Sequence, residues 1–182
     1  MRMSLLKAKI VVVPLGETDL AMIGRLAAEL GPVFGRSVDM LKGMKLPDEA
    51  RNVVRNQYYA LVVLSKLERV KSGGREKVVA VCEEDLYLPD ENHVLGYADC
   101  LSGTAVVSLY HLRQEFYGLP EDESKVYPRL FKEVVHRTAH LYNLAECRNP
   151  KCVNYFSQMM LDIDSKGSKF CDLCRRQLNG LV

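Results

Sequence analysis

HRTAHLYNLAECRNPKC, residues 136–152, places two histidines four apart and then two cysteines separated by RNPK. On a helix, side chains at i and i+4 leave from one face, so the rings of His136 and His140 can share a metal ion. Alone this pair is weak, because two packed and hydrogen-bonded histidines would read the same way. The cysteines say more. Cys147 and Cys152 are followed, after 18 residues, by Cys171 and Cys174, which are separated by Asp-Leu. Two short-spaced pairs across such a gap are the sequence form of a tetrahedral four-thiolate zinc site. Each tight turn brings two thiolates to one ion, and Asn149-Pro150 supplies turn chemistry within the first pair. Such an ion would also hold together a tail too small for a core of its own.

The rest of the chain frames this cluster. With 182 residues, 48% hydrophobic and 26% charged, the chain fits one globular domain with a real core. The net charge of +2 gives no argument for nucleic acid or a membrane surface as partner. No apolar run approaches a membrane span, and the opening MRMSLLKAKIVVVPLG lacks a long apolar leader core. A cytoplasmic protein is expected. A cytoplasmic setting and the clustering of the cysteines at one end also argue against a disulfide scaffold.

Periodicity predicts the elements. Lys9 to Pro14 reads as a buried strand. A helix from a cap at Asp19 to about Phe34 buries Leu20, Ile23, Leu26, Ala27 and Leu30, with Gly35 ending it. A second strand is expected at 36–41 and one long helix from Pro47 to about Leu67. Strands follow at Lys77–Cys82, His93–Ala98 and Thr104–Tyr110. A helix from Glu123 or Ser124 to about Tyr142 turns Val126, Leu130, Val134 and Leu141 inward. Strand, helix, strand, helix, a run of strands, a helix and a cysteine-rich tail make an α+β domain with a mixed sheet. Cys82 and Cys100 read as inert core thiols, His93 and His111 as ordinary hydrogen-bonded residues, and Glu83, Glu84 and Asp85 as a solvated strand end. Tyr155 is expected either to line a cleft or to pack on the cysteine knot.

KEVVHRTAHLYNLAECRNPKC resembles the motif of the archaemetzincins, a family of metzincin zinc proteins: H-E-x-x-H-x-x-G-x-x-H-C, four residues, a second Cys, then a distant Cys-x-x-C. His136 and His140 match the first two ligand positions, and all four cysteines match the structural site. CEEDLYLPDENHVLGYAD, AVVSLYHLRQEFYG and the opening VVVPLG extend the likeness over nearly the whole chain. The resemblance implies a twisted mixed sheet, an active-site helix and a small zinc-knotted C-terminal subdomain. It divides residues 1–182 at about 140/141. It also implies a zinc-dependent peptidase acting on peptide or protein at a cleft between the two parts.

Four motif positions depart from that pattern. The expected Glu, Gly, third His and Met are Arg137, Asn143, Glu146 and Asn154. Asn tolerates the left-handed turn that Gly would make, and a His₂Glu set is a known zinc arrangement. Arg137 is the serious change. The family's Glu accepts a proton from the attacking water, and a guanidinium stays protonated and has no basic site. The expectation is one structural zinc, weak or absent peptidase activity, and an Arg137–Glu146 ion pair in place of a second zinc. A competing arrangement keeps zinc on His136, His140 and Glu146 with Arg137 turned away. A peptide-binding module on the same scaffold is the alternative function.

Overall fold

The computed structural model describes residues 9–181. The stretch 1–8, where a leader would begin, lies outside them. The elements run β1 (Ile10–Leu15), α1 (Leu20–Phe34), β2 (Val38–Met40), β3 (Arg51–Asn52), β4 (Gln57–Tyr59), α2 (Ala60–Glu68), β5 (Lys77–Cys82), β6 (Leu86–Leu88), β7 (Glu91–Val94), β8 (Gly96–Asp99), β9 (Thr104–Ser108), α3 (Glu123–Leu141), α4 (Met160–Ser165) and α5 (Asp172–Leu181). Single 3₁₀ turns lie at Asp48–Ala50, Tyr110–Leu112 and Gln114–Tyr117.

The main sheet has the order β2-β1-β5-β9-β8. Its first four strands are parallel and β8 runs antiparallel along the edge. Because β side chains alternate between faces, the apolar runs IVVVPL and KVVAVC bury both sides. Ile10, Val12, Val79, Val81, Ala105 and Val107 face one core, with α1 and α3. Val11, Val13, Val78, Ala80, Cys82 and Val106 face the other, with α2. A small second sheet, β3-β4-β6-β7, adjoins the second core.

The α1 reading holds. Asp19 accepts from the N–H groups of Ala21 and Met22, and Gly35 closes the helix at φ 61°. Leu20, however, stands 58% exposed at the helix start instead of packing inward. The long helix expected from Pro47 is wrong in its first half. Residues 51–59 pair as β3 and β4, antiparallel to each other, and only 60–68 are helical. Two physical reasons are visible. Asn56 takes φ 52° in the connecting turn, which breaks a right-handed helix. Val53 and Val54, which would have lined a helical stripe, sit at the exposed hairpin tip. His93–Ala98 is likewise two strands, β7 and β8, in different sheets. Cys82 is buried as expected, but Cys100 is exposed, in the turn after β8.

α3 crosses the first core against β5, β8 and β9. Asp122 caps it, and Val126, Leu130, Val134 and Leu141 are buried. The tail does not stand apart. Cys152, Val153, Ile163, Phe170, Cys174 and Leu178 are continuous with the α1–α3 core. Arg129, 2% exposed, fastens the two by donating Nε and Nη2 to the Asp164 carboxylate, both at 2.7 Å, and Nη1 to Leu112 O at 2.9 Å.

Candidate metal centres

The C-terminal half of α3 carries the histidines. His136 is buried and His140 half-buried, and their rings meet edge to face with centroids 4.6 Å apart. At Asn143 the chain takes φ 62°, the left-handed turn that Asn tolerates. This turn brings Glu146 back toward the helix. A ring nitrogen from each histidine and a carboxylate oxygen of Glu146 all lie within 4.8 Å of one another. Nε2 of both histidines is buried and has no hydrogen-bond partner among the described residues. Two partnerless imidazole nitrogens and a nearby carboxylate suit a His₂–carboxylate zinc site. Burial pulls the His136 pKa down, and it holds His140 at about 3, aided by His136 and Arg137. Both shifts favour the neutral ring, the state a metal requires.

Arg137 does not reach Glu146. Its Nε donates to Glu133 Oε1 at 2.6 Å, one turn back on the same helix. The expected Arg137–Glu146 bridge is absent because Glu133 is nearer and fully buried, so its charge needs a partner most. The Glu133–Arg137 pair is correspondingly not the weak surface pair that its i, i+4 spacing alone suggests.

A second cation joins this network, which the sequence reading did not include. The Lys166 side chain is fully buried and donates Nζ to Tyr155 O at 3.1 Å and Ser157 Oγ at 3.0 Å. It lies 3.3 Å from His136 Nδ1 and 4.0 Å from Glu133. Ser157 Oγ in turn donates to Glu133 Oε2 at 3.0 Å. Burial works to raise the Glu133 pKa, but Arg137, His136 and Lys166 outweigh it and hold the carboxyl below its usual range. Burial lowers Lys166 to about 8 against the pull of Glu133. One carboxylate thus sits among two cations, and both of its oxygens are engaged. Nothing in the sequence signals Lys166 or Ser157, two polar residues in a polar tail.

Asn154 occupies the floor near the turn. It is fully buried, and its Nδ2 donates to Ala145 O at 2.7 Å while Oδ1 has no partner among the described residues. The Tyr155 backbone bridges to Cys147 in the cysteine knot.

The four cysteines do converge. One sulfur from each of Cys147, Cys152, Cys171 and Cys174 lies within 4.8 Å of the others. The Sγ atoms of Cys147 and Cys171 are 3.7 Å apart, against an edge of about 3.8 Å for a tetrahedron with Zn–S near 2.3 Å. N–H groups of Asn149 and Cys171 point at the sulfurs of Cys147 and Cys152. The Cys174 backbone N–H, with hydrogen bonds from the neighbouring thiols, lowers the Cys171 thiol to about 7, while burial raises those of Cys152 and Cys174. This donor set suits a structural zinc.

The other histidines lie elsewhere. His111 Nε2 is 2.7 Å from Asp85 Oδ1, and the His93 ring stacks on it at 4.0 Å. Asp85 also accepts from Gln57, and Glu83 from Arg113. Glu83 and Asp85 are thus tied into the structure, while Glu84 is exposed as a solvated strand end would be.

A mixed sheet, a helix bearing two histidines, a left-handed turn and a four-cysteine tail define a metzincin-like class of zinc protein. Comparison with known proteins agrees. The profile of Peptidase family M54 matches residues 34–180. An archaemetzincin of Methanocaldococcus jannaschii is 32% identical over 170 residues, 93% of this chain and 92% of that protein. The crystal structure of a zinc-dependent peptidase from Methanocorpusculum labreanum superposes with TM-score 0.84 at 31% identity, covering 93% of this chain and all of that one. The archaemetzincin of Methanopyrus kandleri gives TM-score 0.81 at 30% identity over 96% of each chain. The chain belongs to the archaemetzincin family, the M54 zinc metallopeptidases.

Proposed function

We propose that this archaemetzincin keeps a peptide cleft and both metal centres but has lost the proton transfer on which hydrolysis depends. The observation that carries the reading is the place of Arg137. The residue following the first histidine is a cation held on Glu133, and it has no lone pair to accept a proton from water. Glu133 is no substitute, since both of its oxygens are engaged and its carboxyl is held well below the usual range. Zinc on His136, His140 and Glu146 would supply Lewis-acid polarisation of a peptide carbonyl. The chain's own residues then position a peptide without passing its proton onward.

Support for retained peptide binding comes from the sheet edge. Among the described residues, β8 pairs with β9 on one side only and is the last strand of its sheet. An extended peptide can add to such an edge through main-chain hydrogen bonds.

The decisive experiment is a peptidase assay on the native chain and on Arg137→Glu. The native chain is expected at background. The variant is expected to gain metal-dependent cleavage by about 10²–10⁴-fold, the usual worth of a positioned general base. Robust turnover by the native chain, or no gain in a folded, zinc-loaded variant, overturns the reading.

A further inference from the structure

Arg137 has more donors than Glu133 consumes. Only Nε is engaged. Among the described residues no acceptor is hydrogen-bonded to Nη1 or Nη2, and neither atom is sealed from solvent. The side chain is 14% exposed, and it lines a cavity of about 140 Å³ between the β7–β8 edge, including Gly96 and Tyr97, and the segment Phe156–Gln158. Glu91 also lines this cavity, yet it is exposed and makes no ion pair with Arg137, and neither does Glu146. The guanidinium is therefore anchored through one nitrogen and presents its remaining edge to the groove where a peptide would lie.

We propose that Arg137 makes this groove a receptor for a carboxylate carried by a bound peptide, at its C-terminus or on an Asp or Glu side chain. The inference rests on the peptide-binding reading above. Three physical points support it. The fork of a guanidinium matches the two oxygens of a carboxylate, which a lysine ammonium cannot do. Glu133 fixes the fork from behind, so little side-chain freedom is lost on binding. Lys166 adds a second positive charge next to Glu133, so Glu133 alone does not cancel the two cations, and the only carboxylate lining the cavity among the described residues is the exposed Glu91. A peptidase base at this position would repel the same group. The substitution therefore replaces a proton acceptor with an anion receptor.

The test uses the full chain and four fluorescein-labelled hexapeptides. One pair of Ala-Gly peptides differs in a C-terminal carboxylate or amide. The other pair, both amidated, carries Asp or Asn at the central position. Affinities are measured by fluorescence anisotropy, and each peptide is checked for cleavage by mass spectrometry. At least one acid is expected to bind tenfold or more tightly than its neutral twin, and the pair that shows this identifies the source of the carboxylate. Arg137→Lys, which keeps a cation on Glu133, is expected to cut the preference to about threefold or less. Arg137→Gln is expected to abolish it. Equal binding of acid and neutral twins by the native chain overturns the inference while leaving peptide binding intact, and so does a preference that survives both substitutions. Cleavage of the peptides sinks the non-hydrolytic reading instead. No binding of any peptide at millimolar concentration sinks both.

Discussion

Glu133 is the residue on which the helix face depends. It is fully buried and accepts from Arg137 and Ser157, with Lys166 4.0 Å away. Removing one member of a buried ionic set leaves the others uncompensated, which costs about 3–5 kcal/mol. Glu133→Ala is therefore expected to lower the denaturant-unfolding free energy by about that much. A loss under about 1 kcal/mol would mean that Arg137 and Lys166 find water instead. The sequence placed Glu133 one turn from Arg137, but pair spacing carries no information on burial. The same limit explains the failed Arg137–Glu146 bridge. Which carboxylate the arginine chose depended on the relative burial of Glu133 and Glu146.

Elements were legible where one local signal dominated. α1 had a cap, a stripe and a terminal glycine, and α3 had a cap and a long apolar period. The segment 47–67 carried a helical period without a break strong enough to see, and tertiary pairing of β4 with β6 decided it. The cysteine tail lies between these cases. The convergence of its four cysteines was plain from spacing, while its packing against α3 through Arg129 and Asp164 was not. Cys171→Ser is expected to release one zinc per chain, measured by atomic emission. It should also open residues 147–174 to limited proteolysis while β1, β5 and β9 stay protected. Protection of the tail in the zinc-depleted variant would show that the hydrophobic contacts of Ile163, Phe170 and Leu178 hold it without metal.

The histidine centre belongs to the molecule as a whole, because α3 supplies two donors and the segment beyond Asn143 the third. Metal analysis of the native chain is expected to give two zinc ions, and His140→Ala one. A single ion in the native chain would mean that His136, His140 and Glu146 converge without holding metal. Lys166 beside His136 Nδ1 would then be the first residue to replace.

The chain's own order of residues was enough for the α+β class, the two strongly periodic helices and the four-cysteine cluster, and it puts an arginine at position 137. These follow from side-chain chemistry and short spacings, which operate within a few residues along the backbone. Where Arg137 points, what neutralises Glu133, and the presence of Lys166 and Ser157 beside the histidines were decided only in three dimensions. Buried charges choose partners by distance and desolvation, and both arise only once segments far apart in the chain have packed.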